Sequence, residues 1–228
     1  MSLMNRKKVL EANKYLFTSG LVSVTWGNVS YIDRESNVVY IKPSGVDLFK
    51  TSDQHISKVS VAGTHISGKK PSVDTPTHLE VYRKFLEVGS IVHTHSKYAT
   101  IFAQANKDIS CMGTTHADYF DGAIPCIPCP NVEDVKSEYE ANTGKAIVNY
   151  FTNNDTDPMR VPAVLVSGHG PFCWGRSTED ALENAYVLEK IAEMAYKTLI
   201  LSGNHHLPEH ILRKHFDRKH GEEKYYGQ

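Results

Sequence analysis

Ile91-Val92-His93-Thr94-His95-Ser96 is the stretch on which the reading of this chain turns. Two apolar residues lead into an H-x-H pair, the pattern of a buried strand reaching its end. Side chains alternate faces along a strand, so His93 and His95 are predicted to point the same way, roughly 6.6 Å apart at about 3.3 Å per residue. Two imidazoles on one face can share a metal ion, with Zn–N near ~2.1 Å; a catalytic zinc takes three protein ligands and keeps one position open. Val164-Leu165-Val166-Ser167-Gly168-His169-Gly170-Pro171 repeats the design, an apolar β-branched run and then a histidine between two glycines. An H-x-H pair alone is more often a hydrogen-bonded core pair. The second strand ending in G-H-G turns the reading toward a three-histidine metal site.

Outward from these strands the chain alternates between strand and helix patterns. Asn5–Ser19 reads as an amphipathic helix stopped by Gly20. Strand character follows over Leu21–Ile32, broken at Trp26-Gly27-Asn28, then over Val38–Ile41 and Ile56–Val61, with Gly63–Lys70 as a hairpin or loop. Thr75 and Pro76 start a helix to about Glu87, Thr75 as its cap and Pro76 as its first residue. Lys97–Asn106 and Asn131–Gly144 read as helices, the second extended or followed by Ala146–Phe151. Gly113–Phe120 is a polar loop, and Ser177-Thr178-Glu179-Asp180 opens the longest helix, to about Leu201. Strands flanked by helices on both sides point to a single α/β domain over residues 1–228.

The totals narrow the class. A chain of 228 residues with net charge −1, 40% hydrophobic and 22% charged residues, is long enough for a sizeable core. That charge gives no reason to expect nucleic acid or an anionic membrane as a partner. No apolar run of about 20 residues predicts a transmembrane helix, and Met1–Arg6 lacks the apolar stretch of a signal peptide. Cys111, Cys126, Cys129 and Cys173 suit a reducing compartment, so a cytoplasmic protein is expected. Cys126-Ile127-Pro128-Cys129 is C-x-x-C in spelling but has no partner motif for a zinc ribbon.

Other residues could complete a site. Ser44-Gly45 after Lys42-Pro43, and Gly27-Asn28 after Trp26, place small residues and free N–H groups at strand ends, as phosphate cradles do. Ser72 precedes a helix N-terminus, where the dipole favours an anion. Together these suggest a phosphorylated substrate, although turns use the same residues for conformation alone. Asp74 is either a helix cap or a functional acid. Asp118, among hydroxyls in Thr114-Thr115-His116-Ala117-Asp118-Tyr119, is either a turn cap or an acid/base near the metal. His55, His65 and His78 read as structural or surface residues, and His205, His206 and His210 as decoration of a solvent face.

These segments resemble a known family. Trp26-Gly27-Asn28-Val29-Ser30, Ile41-Lys42-Pro43-Ser44-Gly45, Lys70-Pro71-Ser72, Asp74-Thr75-Pro76-Thr77-His78, the His93 and His169 stretches, Gly113–Phe120 and Tyr225-Tyr226-Gly227-Gln228 are similar to the L-ribulose-5-phosphate 4-epimerases of the class II aldolase/adducin family. The resemblance covers essentially the whole chain, and it implies a central, mostly antiparallel β-sheet flanked by helices on both faces. It implies zinc, with manganese or cobalt as possible substitutes, on His93, His95 and His169. Asp74, where related aldolases carry a glutamate base, is expected with them at the metal. It implies a substrate-phosphate site of Asn28, Ser44, Gly45 and Ser72 with Lys42 beside them, and Asp118 as an acid/base whose counterpart Tyr226 comes from a neighbouring subunit, as does His215. The expected assembly is a homotetramer with fourfold cyclic symmetry, the tail of about 205–228 completing a neighbour's site. The implied reaction interconverts L-ribulose 5-phosphate and D-xylulose 5-phosphate at C4 by breaking and re-forming the C3–C4 bond, in L-arabinose or L-ascorbate breakdown. A sugar-phosphate aldolase of the L-fuculose-phosphate type and a non-catalytic adducin-like interaction module are the rival readings. One departure is Val73, where similar epimerases carry serine, which takes a hydroxyl out of the phosphate corner.

Overall fold

A computed structural model describes residues 2–203, 205–222 and 224–226. The first element is helix α1, Ser2–Thr18, which buries Val9, Leu10, Ala12 and Leu16. It ends at Gly20, whose φ of +76° carries the chain into the left-handed region. Asn13 ties this helix to the sheet, donating to the Val29 carbonyl at 3.2 Å and accepting from the Val29 N–H at 2.8 Å.

The sheet contains β1 (Asn28–Asp33), β2 (Val38–Ile41), β3 (Ser57–Ser60), β4 (His65–Ser67), β5 (Ser90–His93), β6 (Cys126–Ile127), β7 (Ala163–Val166) and β8 (Gly170–Gly175). Their order is β4-β3-β2-β1-β5-β8-β7-β6, antiparallel throughout except between β6 and β7. Helices α2 (Thr75–Lys84) and α5 (Val132–Asn153) cover one face; α1, α3 (Lys97–Gln104) and α6 (Thr178–Ser202) cover the other. Alternation along the central strands divides the core accordingly. Val29, Val92, Leu165 and Cys173 pack toward α1, α3 and α6. Ile91, Val164, Phe172 and Trp174 pack toward α2 and α5. Burying each Val, Leu, Ile or Phe among these contributes about 1.5–3 kcal/mol. The expected α/β domain, with a mostly antiparallel sheet between two helical layers, is the one observed.

Several local expectations are corrected. Residues 21–27 are turn, not strand: Val24 and Gly27 have φ of +55° and +72°, and the Trp26 N–H closes on the Ser23 carbonyl at 3.1 Å. β5 stops at His93, so His95 lies beyond the strand and strand alternation does not account for its direction. Asp74, not Thr75, holds the cap position of α2; its carboxylate turns away from the helix, while the Thr75 hydroxyl donates to the Ser72 carbonyl. Gly113–Phe120 contains one helical turn, α4 (Thr114–Ala117). The charged tail contains a further helix, α7 (Glu209–His220), which buries Leu212 and Phe216. Tail residues Gly227 and Gln228 lie outside the described residues. Ser177 caps α6 with a reciprocal pair of 3.0 Å hydrogen bonds to Asp180, as its sequence predicts.

Candidate metal centre and its cavity

The β1–β5–β8 register sets one row across the sheet, with Asn28 opposite His93 and His93 opposite Phe172. The Phe172 ring stacks on His93 with centroids 4.1 Å apart and planes 17° from parallel. His93 Nδ1 donates to the Pro171 carbonyl at 2.9 Å, so its Nε2 carries the lone pair; it lies 3.2 Å from His95 Nε2.

His169 arrives from the β7–β8 turn. Gly168 there has φ of +69°. A Cβ on Gly170 would lie 2.8 Å from the Thr94 carbonyl, so a glycine lets this turn press against the exit of β5. The candidate ligand atoms of His93, His95 and His169 all lie within 4.8 Å of one another. Burial pushes all three imidazoles below the ordinary histidine value, His93 to about 3, against the opposing pull of Asp74. Neutral rings whose nitrogens converge are the donor set that a divalent cation requires, and the carbonyl that orients His93 is the support such ligands usually have.

Asp74 faces this centre but is outside the converging group. Its Oδ2 accepts from Asn28 Nδ2 at 2.7 Å and from the Ser72 hydroxyl at 3.3 Å. Burial acts to raise its pKa, but the His93, His78 and His169 rings and the Asn28 amide together hold the carboxyl below its usual range. Asn28 Oδ1 is buried with no hydrogen-bond partner among the described residues. Lys42 is buried, and its ammonium donates to the Thr25 and Gly27 carbonyls at 2.6 and 3.1 Å, which leaves one of three donors uncommitted. Ser44 and Ser72 spend their backbone N–H groups on the Lys70 and Lys42 carbonyls, so an anion there would meet hydroxyls more than a bare nest.

All of these residues line one cavity of about 420 Å³: Asn28, Lys42, Ser44, Gly45, Ser72, Asp74, His93, His95 and His169, with the exposed Val73 at its rim. Tyr139 and Glu140 line it too, and sequence reading missed both. Within α5 the backbone of Glu138 is non-helical, with φ of −140° and ψ of 71°. The Glu140 carbonyl accepts from the Thr77 hydroxyl of α2 at 2.6 Å, and the Tyr139 hydroxyl lies 3.4 Å from His169 Nδ1. A continuous helical pattern over 131–144 carries no sign of this break.

Asp118, His215 and Tyr226 are brought together elsewhere within one chain, which corrects the expectation that a neighbouring chain brings Tyr226 and His215 to Asp118, and none of them lines that cavity. His215 Nδ1 donates to Asp118 Oδ1 at 3.0 Å, and Arg218 binds both carboxylate oxygens. Tyr226 lies with its ring against the same guanidinium. His116, in the α4 turn that positions Asp118, is buried and donates from Nε2 to the Gly122 carbonyl at 2.8 Å. His78 is structural, as expected: it is fully buried, with Nδ1 2.7 Å from the Ser30 hydroxyl. All four cysteines are free, and burial raises the Cys126 thiol to about 11, too high for a reactive thiolate.

A mostly antiparallel sheet between helical layers, with three histidines converging beside a polar cavity at its strand ends, defines a class of α/β protein with a three-histidine cluster able to hold a divalent cation. The class II aldolase and adducin N-terminal domain model matches residues 7–196. The chain belongs to that family. Its fold is shared with an L-fuculose 1-phosphate aldolase at 21% identity and TM-score 0.80, covering 94% of this chain and 95% of that one. YgbL from Escherichia coli is similar at 22% identity and TM-score 0.76, covering 93% and 98%. An L-fuculose-1-phosphate aldolase from Thermus thermophilus is similar at 24% identity and TM-score 0.65, covering 90% and 99%. The family match ends before α7 and the Tyr225-Tyr226 stretch, which carry His215, Arg218 and Tyr226 of the second cluster. Among the described residues no helix is long and apolar enough to cross a membrane.

Proposed function

We propose that this chain is a zinc-dependent epimerase that interconverts L-ribulose 5-phosphate and D-xylulose 5-phosphate at C4. The observation that carries this reading is one cavity lined both by three convergent histidines and by the Asn28, Lys42, Ser44 and Ser72 corner. A divalent cation on His93, His95 and His169 would act as a Lewis acid toward the ketone and neighbouring hydroxyl oxygens of the sugar. The substrate phosphate sits against the Ser44 and Ser72 hydroxyls and the third donor of Lys42, and a sugar hydroxyl donates to the otherwise unpaired Asn28 Oδ1. Asp74 stays ionised beside the centre and orders Asn28 and Ser72.

C4 of a ketopentose phosphate bears no acidic hydrogen, so inversion there proceeds by cleaving and re-forming the C3–C4 bond. One of Asp118 and Tyr226 takes the proton of the C4 hydroxyl as that bond breaks, C4 becoming the aldehyde carbon and the bonding pair passing through C3 to the C2 oxygen of the other fragment. The aldehyde fragment, held by its phosphate, turns its other face, and the second group returns a proton to the C4 oxygen. Asp118, His215 and Tyr226 lie apart from the histidine cavity of their own chain, which supports sites shared between copies in a fourfold homotetramer. Four free thiols fit a reducing cytoplasm.

The test is a product assay with zinc-loaded protein and L-ribulose 5-phosphate. The expected result is D-xylulose 5-phosphate, lost on chelation and restored by metal. Free dihydroxyacetone and glycolaldehyde phosphate without the xylulose product would make it an aldolase. No turnover with metal bound would indicate another sugar phosphate, and failure to bind metal would favour a non-catalytic adducin-like module.

A further inference from the structure

Arg218, on α7, sits between the two residues assigned to proton transfer. Its Nε and Nη2 donate to Asp118 Oδ1 at 3.2 and 2.9 Å, and Nη2 also reaches Oδ2 at 3.0 Å. The same guanidinium carbon lies 4.3 Å from the centre of the Tyr226 ring. The Arg218 carbonyl accepts from the Tyr225 and Tyr226 N–H groups at 2.9 and 3.0 Å, which bends the end of the chain back over the guanidinium. Both charged side chains are largely shielded, with 23% of Arg218 and 15% of Asp118 exposed.

We propose that Arg218 is a positioning residue that aligns Asp118 and Tyr226 as one unit, so that one chain delivers both acid/base groups to a site. This rests on the assignment of those two residues under Proposed function. A planar guanidinium fixes the plane of a carboxylate that it binds through both oxygens, and its face restrains an aromatic ring. The arrangement also separates the two carboxylate oxygens. Oδ1 receives three donors, one from His215 and two from Arg218, whereas Oδ2 receives one. Oδ2 is therefore the oxygen left to exchange a proton with substrate. Arg213, five residues earlier on α7, binds Asp121 instead, at 2.8 and 2.9 Å, and serves as the structural control.

The experiment compares Arg218→Ala and Arg213→Ala in the metal-loaded, assembled protein. Arg218→Ala lowers kcat by about 100-fold with KM changed by less than about threefold, and sub-denaturing guanidinium restores part of the loss. In an Asp118→Asn background, Arg218→Ala costs little more, because it acts through the missing carboxylate. Unchanged kcat, or losses that multiply without guanidinium rescue, would reduce Arg218 to a staple between helices. A second readout does not depend on turnover: chymotryptic release of the tail after Tyr225 or Tyr226, followed by mass, accelerates in Arg218→Ala and not in Arg213→Ala. A wild type without epimerase activity whose tail loosens in Arg218→Ala keeps the alignment and rejects the reaction. An unchanged release rate overturns the alignment itself.

Discussion

His93 Nδ1 donates to the Pro171 carbonyl at 2.9 Å, and this single contact sets the tautomer of the central histidine. A carbonyl only accepts, so the proton lies on Nδ1 and the Nε2 lone pair faces His95 and His169. The protein is expected to bind about one divalent cation per chain. His169→Asn should abolish stoichiometric binding, and substitution of the exposed His65 should leave it intact. Metal analysis after gel filtration checks both, and full retention in His169→Asn would remove that residue from the centre.

Turnover and metal content should separate in the second cluster. Asp118→Asn and Tyr226→Phe are each expected to lower kcat by about 10²–10⁴-fold while zinc content stays at the wild-type level. A Tyr226→Phe enzyme with full activity would show that this phenol moves no proton.

Gly27 is the narrowest backbone position beside the site. Its φ is +72°, and an added Cβ would lie 2.7 Å from the His93 carbonyl. Gly27→Ala is therefore expected to cost about 2 kcal/mol or more in stability and to weaken metal binding by displacing the end of β5. Urea unfolding with a parallel metal titration tests this; an unaltered midpoint would mean that the β1 entry yields without cost.

Acid should destabilise the fold through His78 and His116. Burial pushes each of these imidazoles from 6.5 to about 4 in the folded chain. The unfolded chain thus binds protons more readily between those values. The stabilising contribution is complete above about pH 6.5 and is lost as pH falls toward about 4, up to about 3 kcal/mol for each residue. Urea midpoints between pH 7 and pH 4.5 should fall, and His116→Gln should flatten the profile. An equally steep profile in that variant would assign the acid sensitivity to other groups.

Much of the architecture was legible in local pattern. The apolar runs before His93 and His169 mark central strands, Ser177-Thr178-Glu179-Asp180 marks the start of α6, and the period of the residues that follow marks its buried stripe. The resemblance that these segments carry led to the family that the match over 7–196 establishes. Such signals are readable because hydrogen bonding and side-chain direction within an element depend on near neighbours.

The sequence by itself therefore determined the α/β layering, the family and the residue types available for a metal and a phosphate. Only the tertiary structure decided which of them meet. His169 joins His93 and His95 because glycine at 170 lets two strand ends touch, and Tyr139 and Glu140 enter the cavity because α5 breaks at Glu138. Asp118 is bound by Arg218 because a tail of charged residues folds into α7 and packs Leu212 against Ala117. The meeting of the histidines, the Thr77 bond to the Glu140 carbonyl and the Arg218–Asp118 pair are contacts between residues distant along the chain, fixed by close packing and by pairing of buried polar groups, and no window of neighbouring residues carries that information.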